Sequence, residues 1–149
     1  MVYLNLYAVD FRSWPSIAIA IATRSIYTHA NIQVGEEDIF DASGYANIVG
    51  WRKVKVYDHR PKRQIKLAIT ENKAREILEQ YNGLKYDHTA LKLWAFGIQD
   101  ELKVYCFEVC WAFLAEGLLL KPMAPARLKR YTANKILKFV SPTNPTIGK

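Results

Sequence analysis

Lys103-Val-Tyr-Cys-Phe-Glu-Val-Cys-Trp-Ala-Phe-Leu-Ala-Glu-Gly117 predicts a helix that begins close to Cys106 and stops at Gly117. Val109, Phe113 and the run Leu118 to Leu120 give it an apolar side, and Gly117 is the expected left-handed stop. Cys106 falls in the first turn, where unbonded backbone N–H groups and the positive end of the helix dipole favour a thiolate. Cys110 lies one turn later, where those N–H groups are already bonded, and is read as core. Taken alone, the stretch fits two small buried hydrophobes better than a nucleophile, because that is what free cysteines usually are. The rest of the chain has to decide.

With 149 residues, half of them apolar and 13% aromatic, the chain predicts one domain with a substantial core. Two cysteines one helical turn apart do not bridge without distortion, so free thiols and a reducing compartment are expected. No cationic n-region opens the sequence, so no secretory signal is visible, and a cytoplasmic location in the producing cell is expected. The apolar run Ile17 to Ala22 is too short to span a bilayer. The net charge is +7 and unevenly spread. From position 121 onward the chain carries Lys121, Arg127, Lys129, Arg130, Lys135, Lys138 and Lys149 and no acid. A second cluster holds Arg52, Lys53, Lys55, Arg60, Lys62, Arg63 and Lys66, relieved only by Asp58. Such patches suit nucleic acid, anionic lipid or another anionic polymer, although solvated surface explains them equally simply, and neither carries a nucleic-acid motif.

Val2 to Ala8 alternates as a first strand, and Ser13-Trp-Pro-Ser16 opens a helix with Pro15 in its first turn, running to about Arg24. In Tyr27 to Val34, His29, Asn31 and Gln33 alternate with Ala30, Ile32 and Val34, the period of a half-buried strand. A turn at 35–38 leads to a short strand, Ile39 to Ala42. Gly44 to Gly50 reads as a loop, Trp51 to Tyr57 and Gln64 to Ile69 as strands. Thr70 caps a helix through Gln80 that Asn82-Gly83 terminates. A further helix is expected from about His88 to Phe96, and one or two short ones after Pro122 and Pro125, with fraying beyond Ser141. The class is α+β.

The hairpin supplies what a thiol needs. A register in which paired residue numbers sum to about 70 sets His29 opposite Asp41 with both side chains on one face. The carboxylate then accepts an imidazole N–H and fixes the tautomer, leaving the other ring nitrogen to take a proton from a thiol. A slip of one residue breaks the pairing. His59, between Asp58 and Arg60, reads as surface, and His88, behind the helix-capping Asp87, is a weak competitor. Two cysteines on one turn and three scattered histidines match no usual metal-ligand spacing, so no metal and no cofactor are expected.

Four stretches together resemble the permuted papain-like cysteine hydrolases of the NlpC-type superfamily. Ile17 to Asn31 resembles the family's opening helix and histidine strand, with Thr28-His29-Ala30 where Ser-His-Val is usual. Ile39-Phe-Asp-Ala42 resembles the strand that holds the third polar residue. The step from His29 to Asp41 is similar to that of lecithin:retinol acyltransferase-like members. Gly83-Leu-Lys-Tyr-Asp87 resembles the Gly-x-x-Tyr-Asp element, and Tyr105-Cys-Phe-Glu-Val109 resembles the Cys-Ser-Glu-Leu-Val signature. Phe107 stands where serine is usual, and Asp41 where glutamate or histidine is commoner. The resemblance implies a papain-like fold, with a small antiparallel sheet or half-barrel packed against the cysteine helix. It also implies attack of a thiolate on an amide, ester or thioester acyl carbon.

On this reading Cys106 is the nucleophile, His29 the base and then acid, and Asp41 the orienter. The Cys106 N–H is one oxyanion donor, and Tyr86, Tyr105 and Phe107 are candidates to line the substrate site. The substrate is then a cell-wall peptide, an isopeptide or a lipid-linked acyl group, with the basic patches holding an anionic polymer or membrane surface. The alternative is a non-catalytic module on the same fold that binds nucleic acid or anionic lipid, with Trp51, Tyr57, Tyr131 and Phe139 as stacking or anchoring aromatics.

Overall fold

Short strands, most of them in the N-terminal half, build a sheet, and helices bury their apolar residues against it. A computed structural model describes residues 1–43, 47–56, 60–86, 103–104, 106–118 and 133–140. The elements are β1 (Val2–Ala8), α1 (Trp14–Thr23), β2 (Tyr27–Val34), β3 (Asp38–Ser43), β4 (Ile48–Lys53) and a single 3-10 turn (Val54–Val56). After these come β5 (Arg63–Leu67), α2 (Glu71–Glu79), β6 (Lys85–Tyr86), β7 (Lys103–Val104), α3 (Cys106–Gly117) and α4 (Ala133–Phe139). The strands form one sheet in the order β5-β1-β2-β3-β4-β6-β7. Neighbours are antiparallel from β5 to β6, and β7 joins β6 in parallel. The fold is α+β.

Period two divides the sheet into two faces. Leu4 pairs with Ile32, Ile32 with Phe40, and Ala42 with Val49, so their side chains share one face. They join Val2, Leu6, Ala30 and Val34 in a core cluster with Ala74, Ile77 and Leu78 of α2 and Phe113 and Leu114 of α3. At about 25 cal/mol per Å² of apolar surface removed from water, this burial is the main term that holds the helices on the sheet. Helix α2 starts where Thr70 accepts a hydrogen bond from the Lys73 N–H at 3.3 Å.

Three expectations change. Strand β4 begins inside the stretch read as a loop, at Ile48, because Val49 pairs with Ala42 and is buried in the core. It also ends early. The Val54 N–H bonds the Glu37 carbonyl at 2.7 Å, which turns the chain away at a point where the sequence still reads as strand. The third concerns Gly117, which closes α3 without a left-handed backbone; the positive-φ glycines among the described residues are Gly35 and Gly83. A Cβ on Gly117 would lie 2.6 Å from Ile69 Cδ1, so close packing between helix and chain explains this glycine. The two-residue strands β6 and β7 are too short to carry a period. The helix expected near His88 to Phe96, and the chain expected to fray beyond Ser141, lie outside the described residues.

Candidate functional site

Cys106 is the first residue of α3, so its N–H has no acceptor within the helix. Helix α3 is buried almost all round, from Cys106 through Ala115 with the exception of the half-buried Ala112, and it packs on β2, β3 and α2. From Cys106 through Ala115 every residue but Glu108 is apolar, and Glu108 is buried with them; a helix this apolar belongs in the interior. That docking brings Cys106 near enough to His29 on β2 for charge at the sulfur to act on the ring. Both cysteines are free and buried. Burial raises the Cys110 thiol well above its ordinary range, with the charges of Cys106 and Asp41 adding to the effect.

His29 Nε2 lies 2.7 Å from Asp41 Oδ1. The Asp41 side chain is fully buried, whereas the imidazole is 26% exposed. The ladder that delivers the pair is not the expected one. It pairs Ile32 with Phe40 and Val34 with Asp38, so continuing it sets Asn31, not His29, opposite Asp41. The register is two residues out. Two is the period of the strand, so His29 remains on the same face and reaches Asp41 diagonally. Burial favours the neutral ring. Charge at Cys106, the hydrogen bond to Asp41 and the charge of Asp41 outweigh it and raise the His29 pKa to about 10. With Nε2 on the carboxylate, Nδ1 is the nitrogen left for Cys106.

Asp41 Oδ2 faces a second cation, with Arg52 Nε 3.7 Å away. Arg52 is itself held by donation from Nη2 to the Ile48 carbonyl at 3.2 Å. The Tyr7 ring, on β1, sits 5.6 Å from the imidazole between centroids, tilted by 44°. Its hydroxyl accepts from Asn31 Nδ2 at 3.2 Å, and burial raises its pKa. Behind Tyr7 a row of amides crosses the sheet. Asn5 Nδ2 donates to Asn31 Oδ1 at 3.1 Å, and Gln64 Nε2 donates to Asn5 Oδ1 at 3.0 Å. Asn5 and Asn31 are almost wholly buried, and a satisfied amide row of this kind fixes the strands laterally beneath the imidazole.

Of the other expected site residues, Phe107 is fully buried and Tyr86 nearly so, and both belong to the hydrophobic core cluster. Tyr105, His59 and His88 lie outside the described residues. Among the described residues no group of three or more histidine, cysteine or carboxylate side chains is placed to hold a metal ion. Sequence reasoning missed Tyr7 and the tie between Arg52 and Asp41. Tyr7 shares the odd-numbered face of β1 with Asn5, which was a usable signal once β1 is paired with β2. Arg52 reads as one cation among many in its basic cluster.

No family model, curated protein or solved structure matches the chain.

Proposed function

We propose that this protein is a papain-like cysteine hydrolase or acyltransferase. Cys106 attacks an amide, ester or thioester carbonyl, His29 takes and returns the proton, and Asp41 orients the ring. The observation that carries this reading is the buried Asp41 bonded to His29 within one hairpin, with Cys106 brought beside the same ring by a helix far along the chain. With its proton passed to His29, the Cys106 thiolate would add through Sγ to the acyl carbon, and the bond to the leaving group would then break as that group takes the proton from the imidazolium, leaving an acyl thioester on Cys106. Water or a second acceptor, deprotonated by the same ring, would then release the acyl group. The Cys106 N–H at the start of α3 is one donor to the oxyanion.

Alkylation by iodoacetamide, with mass mapping to separate the two cysteines, tests the pair. At neutral pH Cys106 should label faster than Cys110, and His29→Ala should slow Cys106 by about tenfold or more. Equal Cys106 rates in the two proteins would overturn the mechanism.

A further inference from the structure

Helix α1 consists of Trp14-Pro-Ser-Ile-Ala-Ile-Ala-Ile-Ala-Thr23 and holds no charged residue. A helix of this composition is normally interior. Here none of its described side chains is buried, and its most exposed positions are Trp14, Pro15, Ala18 and Ile21. Trp14, Ala18 and Ile21 recur at the spacing of one helical face, so the face turned to solvent is apolar. Phe11 ahead of the helix and Ile26 behind it extend that face. Phe11 is 80% exposed, Trp14 76%, Ile21 71% and Ile26 59%. Four of the six large apolar side chains most exposed in the described chain thus come from one short segment. Such a patch marks an interaction site.

Charge says which kind. The patch ends in two exposed cations, Arg12 and Arg24. The nearest acid in sequence, Asp10, is engaged through Oδ1 with the Arg12 N–H. Asn134 Nδ2 of α4 donates to the Arg24 carbonyl at 3.2 Å, which brings a second basic element, carrying the exposed Lys138, to the same end of the helix. An apolar strip with aromatic residues at one end and cations at both ends matches a bilayer surface: hydrocarbon for the strip, anionic headgroups for its ends. A second copy of the chain fits worse, since each carries a net charge of +7 and a two-fold axis through the patch would oppose the same arginines. No helix of the described residues is long and apolar enough to cross a membrane, so α1 would lie on the surface.

We infer that the outward face of α1, with Phe11 and Ile26, docks the protein on an anionic lipid surface. The helix is tied to the strand that carries His29, because Ser16 on α1 and Thr28 on β2 share a hydroxyl hydrogen bond of 2.8 Å. Docking does not depend on Cys106, so it stands or falls apart from the proposed chemistry.

Vesicle sedimentation tests it, with phosphatidylcholine alone and with phosphatidylcholine mixed equally with phosphatidylglycerol. The wild-type protein should pellet with the mixed vesicles and much less with phosphatidylcholine. Trp14→Ala with Ile21→Ala should weaken partitioning by about tenfold or more. Arg12→Ala with Arg24→Ala should weaken it by about tenfold on the anionic vesicles only. Far-UV circular dichroism checks each fold, and Phe11→Ser, outside the helix, repeats the apolar test if the double variant does not fold. Failure of the wild type to bind mixed vesicles, or equal binding by the apolar variants, would overturn the inference. A dimer that the apolar variants abolish, without vesicle binding, would assign the face to a second copy and overturn it as well.

Discussion

Asp41 spends one oxygen on His29 and turns the other towards Arg52, so the carboxylate stands between two cations in a buried position. The imidazole in turn stands between two groups that both favour its protonated form. Their contributions are separable. Cys106→Ala removes the largest of the causes that raise the His29 pKa and leaves the opposing burial in place. An NMR titration of the ring should therefore show His29 releasing its proton at lower pH in Cys106→Ala than in the wild type; an unchanged titration would mean that the two side chains do not interact. The sign for stability follows from the same shift. A pKa raised from 6.5 to about 10 stabilises the folded state fully below pH 6.5, and the contribution disappears as pH rises through about 10. The difference in unfolding free energy between wild type and His29→Gln should shrink across that window. On the proposed mechanism Cys106→Ala abolishes turnover, while Asp41→Asn slows it less, since an amide oxygen still accepts from the ring. Cys110→Ala keeps activity at a stability cost of about 1 kcal/mol, read by denaturant unfolding.

At the scale of elements, β2 is the most legible strand because its polar and apolar residues alternate regularly from His29 to Val34. Faces were readable from His29, Asn31 and Gln33 alone. Register was not, since a shift of two residues leaves every side chain on its own face and so leaves the polar pattern unchanged. The sequence of α3 likewise announced a helix from Cys106 to Gly117 but not that it is enclosed on nearly all sides, because an apolar side and an apolar circumference differ only in where the neighbours lie. Gly117 is the sharpest case. A glycine at a helix end suggests a left-handed cap, and only the position of Ile69 reveals that it makes room instead. Thr70 was legible for the opposite reason: an N-cap is local. Its hydroxyl takes the Lys73 N–H, and Thr70→Ala should destabilise the protein by about 1 kcal/mol in denaturant unfolding, with no effect on Cys106 labelling. A loss of labelling there would show that α2 controls the site.

For the molecule as a whole, composition predicted one domain with a substantial core and the order of elements an α+β chain, and the structure is α+β around a seven-stranded sheet. Charge counts located the cations but could not locate the apolar surface of α1, because the exposure of Trp14, Ala18 and Ile21 depends on what packs around the helix. The polar row from Gln64 to Tyr7 was hidden in the same way, since its members come from β5, β1 and β2 and meet only in the folded sheet. One feature of this arrangement is temporal. His29 and Asp41 belong to a single hairpin, a contact that closes early and locally, whereas Cys106 arrives on a helix from far along the chain, across a loop whose closure is slow. Sequence separation therefore leads us to expect that Cys106 reaches the hairpin after the hairpin itself has formed. Pulse alkylation during refolding tests this through Cys110, which is buried in the folded chain. Its protection should appear no earlier than the burial of the sheet, so that the thiols of a newly made chain stay open to alkylation until the helix has docked.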